Sequence, residues 1–270
     1  MRRHWGKWAA ALLALAALLW AGQSAWARRT PLTIETIAFG EPAAQAAAPA
    51  GAEDRPRVLI YHTHTWEAYE MTDGARYTPT ETWRTRDARC NMVRVGEALC
   101  ACLRDQGFEV VHDTTAFEPP NISDAYARSL QMLRKRLDAG ERYDYILDVH
   151  RDAYSGSYNG ANAVVHGDTQ IAYVMLLVGK GTGATGSGFD ERPDWPANLA
   201  LAQALTDAMN AQVPGVSREV KVKSGRYNQH VSTGALLIEV GNNRNTLQEA
   251  LAACPVIAEA LARVHSERVR

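Results

Sequence analysis

Apolar residues fall along the chain in two alternating patterns. Short, nearly unbroken runs, Val58-Leu59-Ile60-Tyr61, Phe108-Glu109-Val110-Val111, Tyr145-Ile146-Leu147-Asp148-Val149 and Ala235 to Val240, have the length of buried strands. Between them, Met92, Val95, Leu99 and Leu103 recur at helical spacing up to Gly107. Further helices are expected from Asp124 to Leu137, closed by Gly140, from Pro196 to Met209, and from Thr246 to about Val264. Ala163 to His166 and Ile171 to Val178 read as an antiparallel pair turning through Gly167-Asp168. Strand and helix signals that alternate in this way predict an α/β fold, a three-layer sandwich with a mostly parallel central sheet. Ligands of such sheets bind at the carboxyl ends of the strands, so the residues that end each run come first for chemistry.

His62 and His64 follow the first run and His150 ends the third. If the strand continues, its period of two puts His62 and His64 on one face. Imidazole is the usual nitrogen ligand of zinc, and a hydrolytic zinc needs three protein ligands and one open position. His62 or His64, together with His150, offers two of them, and a carboxylate would be the third, from Glu67, Glu81 or Asp87. Asp87 is the first choice, because it precedes the first amphipathic helix, whose exposed amides favour an anion; Glu67 is next. The plainer reading is that Asp87 only caps that helix.

Glu239 lies in the apolar strand Leu236-Leu237-Ile238-Glu239-Val240, where an unpaired carboxylate is costly. Water activated by a nearby metal would compensate it, and the carboxylate could take that water's proton and pass it to a leaving amine. The alternative is a buried ion pair with Arg151 or Arg226. Thr63, Thr65, Arg151, Asp152, Tyr227 and Asn228 lie close in sequence to these elements and are candidates for orienting ligands or binding substrate amides. His112, His166, His230 and His265 read as surface or packing residues, and His230 is the one to follow.

A chain of 270 residues can bury a large core, and a formal net charge of −1 without a basic tract argues against nucleic-acid binding. The first 27 residues have the form of an export signal: Arg2, Arg3, His4 and Lys7 precede the apolar stretch from Trp8, and Ala25-Trp26-Ala27 resembles a signal-peptidase site. From Trp8 to Ala27 the stretch is also about 20 residues long, enough to span a bilayer as an uncleaved anchor. The positive flank would keep the amino terminus in the cytoplasm and the domain on the outer face of the cytoplasmic membrane. Residues 28–56, rich in Ala, Pro and Gly from Pro42 to Ala52, read as a tether, and the folded domain is expected over 57–270. Cys90, Cys100, Cys102 and Cys254 contain no C-x-x-C pair and read as packing residues, with a disulfide involving Cys254 as the alternative.

Several stretches together resemble the stage II sporulation protein P family of endospore-forming bacteria. They are Tyr61-His62-Thr63-His64-Thr65-Trp66-Glu67-Ala68-Tyr69, Tyr77-Thr78-Pro79-Thr80, Arg84-Thr85-Arg86-Asp87, Asn91-Met92-Val93-Arg94-Val95-Gly96, Asp148-Val149-His150-Arg151-Asp152, Arg226-Tyr227-Asn228-Gln229, and Leu237-Ile238-Glu239-Val240-Gly241 with Asn245-Thr246. The resemblance implies a membrane-anchored, zinc-dependent peptidoglycan hydrolase with N-acetylmuramoyl-L-alanine amidase and endopeptidase activity, acting in forespore engulfment. It implies a fold similar to that of cell-wall amidases with a His, Glu, His zinc site and a separate catalytic Glu. By that similarity His150 is a ligand, Glu239 is the catalytic carboxylate, and His64 is favoured over His62. Asp87, four residues before Asn91, stands where those amidases have a ligand Glu. The same resemblance implies partnership with the stage II sporulation proteins D and M. Two rivals remain: a non-catalytic wall-binding or scaffold protein of the engulfment complex, and a peptidase acting on protein substrates, which the lack of an H-E-x-x-H helix disfavours.

Overall fold

The computed structural model describes residues 55–153, 162–182 and 191–269. The expected export signal and most of the tether lie outside the described residues. Among the described residues no helix is long and apolar enough to cross a membrane.

In chain order the elements are β1 (Arg57–Tyr61), α1 (Met92–Asp105), β2 (Glu109–His112), α2 (Ala125–Asp138), β3 (Tyr145–Asp152), β4 (Ala163–His166), β5 (Thr169–Ala172), β6 (Val174–Gly179), α3 (Trp195–Gln212), β7 (Lys221–Lys223), β8 (Ala235–Asn242) and α4 (Leu247–Arg268). Six strands form the main sheet in the order β2-β1-β3-β8-β6-β7. Its first four strands are mutually parallel, while β6 pairs antiparallel with β8 and carries β7 parallel to itself. The fold is therefore an α/β sandwich with a mostly parallel sheet flanked by helices.

One sequence expectation is corrected here. Residues 171–178 do not form a single strand against 163–166: β4 pairs only with β5, the chain breaks at Tyr173, and β6 enters the main sheet. Both segments are apolar, and an apolar run does not reveal which partner it takes. The short β7 carries no apolar pattern and was not expected.

Strand alternation divides the core in two. Val58, Ile60, Leu147, Val149, Leu236 and Ile238 face one side, packed with Met92, Val95 and Leu99 of α1, Leu201 and Leu205 of α3, and Ile257 and Leu261 of α4. Leu59, Tyr61, Ile146 and Ala235 face the other side, with Phe117 and with Ala125 and Leu133 of α2. That second side is less fully covered, and the next residues along its strands, Asp148, His150 and Glu239, are polar. Local signals set the helix ends: Asn91 caps α1 by accepting from the Val93 amide at 2.9 Å, and Thr246 and Glu249 close a capping box on α4. All four cysteines are free, with Cys100 and Cys254 in the core.

Candidate metal centre

β1 ends at Tyr61, so its alternation does not reach His64, and the two histidines part company. His62 turns in between the sheet and α1, where its Nδ1 lies 2.8 Å from the Val149 carbonyl and its Nε2 lies 2.9 Å from Nε2 of His112. Gly96 of α1 makes the room: a Cβ there would fall 2.5 Å from His62 Nε2 and 2.4 Å from His112 Nε2. Burial, reinforced by the His112 charge, pushes His62 down to about 3, and burial pushes His112 down to about 4. The expectation that His62 shares a face with His64 is thus corrected, because the strand stops one residue too early.

His64 lies in the turn after β1, its ring edge-on to His150 at 5.3 Å and to Tyr126 of α2 at 5.6 Å. His150 is in register with Glu239 on the neighbouring strand, so both side chains leave the sheet on the same side. Glu67 completes the group from the loop: its Oε2 is 3.5 Å from His150 Nδ1 and accepts from the Arg151 amide at 3.3 Å. On the far side of the ring, Asp148 Oδ1 is 2.8 Å from His150 Nε2, but off the line of a good hydrogen bond, which leaves Nε2 without a partner of proper geometry. Asp148 itself accepts from the Thr63 amide at 2.8 Å and from its hydroxyl at 2.7 Å. Thr63 Oγ1 is 2.9 Å from Ser129 Oγ, which in turn accepts from Asn228 Nδ2 at 3.0 Å. Asn228 therefore stands in a buried polar chain that ends on His150, rather than facing solvent.

Charge explains the ionisation of these groups. Burial would raise Glu67, but its hydrogen bond to His150 and the charges of His150, Arg151 and His64 hold it at about 2. Burial would lower His150, yet Asp148 and Glu67 hold it well above its ordinary value. Glu239 is pushed up to about 8, chiefly by burial, with Glu67 and Asp152 adding to the rise. Its Oε2 is enclosed without a hydrogen-bond partner. Among the described residues it forms no ion pair: Arg151 directs its guanidinium to the carbonyls of Ala68 and Trp83 and, at 4.0 Å, to the Glu67 carboxylate.

Asp87 and Glu81 are elsewhere. The Asp87 carboxylate accepts from the Arg89 amide at 3.0 Å and its guanidinium at 2.8 Å, and Asn91, not Asp87, caps α1. Glu81 is exposed, 3.8 Å from Arg84. The carboxylate that the fold brings to the histidines is Glu67. Sequence reasoning missed Glu118 and Tyr126. Glu118 is buried, ion-paired with Arg84 and 3.6 Å from His64 Nδ1, and nothing in its Pro-flanked loop marks it. Tyr126 stacks on His150 at 6.5 Å with an interplanar angle of 12°, and packs edge-on against Tyr227 at 5.7 Å.

Residues 29–262 match the family model described as Stage II sporulation protein P (SpoIIP). The chain belongs to the stage II sporulation protein P family. Stage II sporulation protein P of Bacillus subtilis (strain 168) is 28% identical over 224 residues, covering 78% of this chain and 52% of that protein. This family member thus spans about half the length of that relative. Among solved structures, the catalytic domain of the CD27L endolysin targeting Clostridia difficile has a TM-score of 0.48 at 14% identity, covering 79% of this chain and 98% of that chain. The N-acetylmuramoyl-L-alanine amidase from Clostridium difficile 630 has a TM-score of 0.47 at 14% identity, with 80% and 97% covered. The amidase AmiC2 of Nostoc punctiforme has 0.44 at 14% identity, with 79% and 97% covered.

Among the described residues no three His, Cys, Asp or Glu side chains are already drawn tightly enough together to hold an ion. The donor chemistry of the SpoIIP-family site nevertheless suits zinc, which takes imidazole nitrogen and carboxylate oxygen. His64 Nδ1 is enclosed without a hydrogen-bond partner, and His150 turns Nδ1 toward Glu67 while its Nε2 faces the Asp148 carboxylate off the line of a hydrogen bond.

Proposed function

We propose that the chain is a zinc-dependent peptidoglycan hydrolase of the N-acetylmuramoyl-L-alanine amidase type, with endopeptidase activity as a second capacity, acting in forespore engulfment. The observation that carries the reading is the pairing, in register on adjacent strands, of His150 with Glu239, whose side chain is half-buried with one oxygen enclosed and unpartnered, and is raised to about 8. His64, His150 and Glu67 would hold the metal. The chemistry such an ion supplies when bound is Lewis acidity toward the scissile carbonyl and toward water. Glu239 does the proton work: a carboxylate near neutrality in its affinity for protons can take one from water and return it to the leaving amine. A cation beside it would lower its pKa from about 8 toward the working range. Thr63 holds the Asp148 carboxylate beside His150, and Tyr126 packs on the ring's face.

Family membership supports the substrate class and the sporulation setting, including partnership with the stage II sporulation proteins D and M. The apolar segment Trp8 to Ala27 supports a place on the outer face of the cytoplasmic membrane, anchored there by its amino terminus. Full-length protein in the membrane pellet, open to external protease, is the expected outcome of fractionation; protein free in the medium and starting at Arg28 would overturn the anchor.

The deciding experiment combines metal analysis with digestion of purified sacculi by the full chain. One zinc per chain and release of stem peptides that stops in chelator are expected. Intact sacculi and a chain without metal would instead favour a non-catalytic wall-binding or scaffold member of the engulfment complex.

A further inference from the structure

Glu118 is a buried carboxylate without a role in the site described above. Its side chain is 2% exposed, and several segments fix it in place. Arg128 of α2 donates to the Phe117 carbonyl and, at 2.9 Å, to that of Glu118, while Thr65 Oγ1 donates to the Thr115 carbonyl at 3.0 Å. The carboxylate itself accepts from Arg84 Nη2 and, at 3.3 Å, from the Trp66 amide. A carboxylate has lone pairs for about four such bonds, so capacity remains, and His64 Nδ1 lies 3.6 Å from the Oε1 that Arg84 contacts. That is too long for a hydrogen bond. Yet Nδ1 is enclosed without a hydrogen-bond partner, a state in which buried polar atoms are rarely left. The His64 side chain as a whole is 22% exposed, so its opening to solvent lies on other atoms of the ring.

We propose that Glu118 is a positioning residue: it receives the Nδ1 proton of His64 and so fixes the tautomer in which Nε2 carries the lone pair offered to the metal. A neutral imidazole has one N–H and one lone pair, and the partner of one nitrogen decides the task of the other. A lone pair on the enclosed Nδ1 would face the carboxylate, acceptor against acceptor. A proton there meets it as a donor, and a movement of roughly 0.7–0.9 Å brings the two to the length of a charge-assisted hydrogen bond. His150 and Tyr126 stand edge-on to the ring at 5.3 and 5.6 Å, so a flip that presents the opposite nitrogen meets both. Arg84 keeps the carboxylate from turning away. Glu118 therefore acts on the metal only through His64, by settling which nitrogen is free to bind it.

The inference rests on the reading of His64 as a zinc ligand, but its first test needs neither metal nor turnover. Full-length protein in detergent micelles, labelled with nitrogen-15 at histidine, is held in chelator at about pH 8, above the ordinary histidine value. Long-range proton–nitrogen correlations, assigned with His64→Gln, give the tautomer of His64. The wild type should carry the proton on Nδ1, and Glu118→Gln, which keeps the shape without the charge, should move it toward Nε2. Zinc titrated against a chromophoric chelator should then bind Glu118→Gln about 10–100-fold more weakly than the wild type. Arg84→Gln, which breaks the ion pair but spares the carboxylate, should keep the Nδ1 tautomer and lose less affinity. A wild-type proton on Nε2 overturns the inference, and so do equal effects of Arg84→Gln and Glu118→Gln on both readouts, which would leave Glu118 an ion-pair partner alone. A chain that takes up no zinc yet loses the Nδ1 tautomer in Glu118→Gln refutes the metal reading and keeps the hold on His64, whereas a zinc-binding chain whose tautomer ignores Glu118 does the reverse.

Discussion

His62 and His64 are separated by one residue and end in opposite circumstances. His62, with His112, is closed: one nitrogen of His62 meets a backbone carbonyl, the other meets its partner ring, and Gly96 leaves space for both. His64, with His150, Glu67 and Glu239, is open. A His64 nitrogen and a Glu239 oxygen are enclosed without partners, and a His150 nitrogen has only an off-line contact. Each unsatisfied buried polar group costs about 1–3 kcal/mol. A fold that keeps such atoms together beside one strand end is less stable than it could be, and the arrangement makes sense if something binds there. The comparison teaches that a histidine's neighbours in sequence say less about its task than whether its nitrogens are already used.

The largest effect should come from the open side. Glu239→Gln keeps the shape but removes the proton acceptor, so sacculus digestion should fall by about 10²–10⁴-fold while zinc content and melting temperature hold. Zinc loss in that variant would make Glu239 a ligand, and unchanged digestion would make it structural.

Exchanging the two histidine groups is the next test. His150→Ala and Glu67→Gln should lose bound zinc, measured by elemental analysis. His62→Ala should keep zinc but lose about 2–5 kcal/mol in denaturant unfolding, through a cavity and an orphaned partner. If His62→Ala empties the metal site, the division between the groups fails.

Acid should weaken the closed side. His62 at about 3 and His112 at about 4 both lie below the ordinary histidine value of 6.5, so between pH 6.5 and about 3 the unfolded chain binds protons that the folded chain refuses. Stability of the metal-free protein should fall across that window by several kcal/mol, at about 1.4 kcal/mol per pKa unit. Glu67, depressed to about 2 from 4.5, extends the loss below pH 4.5. His150 acts in the opposite sense: its raised pKa contributes fully below 6.5 and fades as pH rises through the folded value. Unfolding curves at stepped pH check this, and His62→Gln should flatten the upper part of the window.

Smaller effects sharpen the same contrast. Gly96→Ala pushes a methyl against two rings and should cost about 1–3 kcal/mol in unfolding, with zinc content unchanged. Asp87→Asn should alter neither zinc content nor digestion measurably; loss of metal there would restore Asp87 over Glu67 as the ligand.

Much of the fold was legible because buried strands and amphipathic helices write themselves as apolar runs of different period. The helix at α1, the mostly parallel sheet, and the placing of His150 at a strand end and of Glu239 within an apolar strand follow from such patterns. The end of β1 was not legible: Tyr61 and His62 are equally buried, and only the tertiary turn at Thr63, pinned by Asp148, sends His64 the other way. The choice between Glu67 and Asp87 was equally hidden. Both are polar residues in one irregular loop, and what separates them is the Arg151 amide and His150 for one and Arg89 for the other. Glu118 and Tyr126 arrive from segments distant in sequence, so no local pattern could announce them.

The buried polar chain from Asn228 through Ser129 and Thr63 to Asp148 has a further consequence for isotope exchange. The Thr63 amide donates to an internal carboxylate rather than to a sheet partner, and Thr63 is fully buried with its hydroxyl against Ser129 of α2, so its proton can leave only when β1's end parts from Asp148 and opens to water. Deuterium uptake at that single amide would report the opening of the whole centre, and a bound ion that clamps His150 would slow it without any change in the surrounding strands.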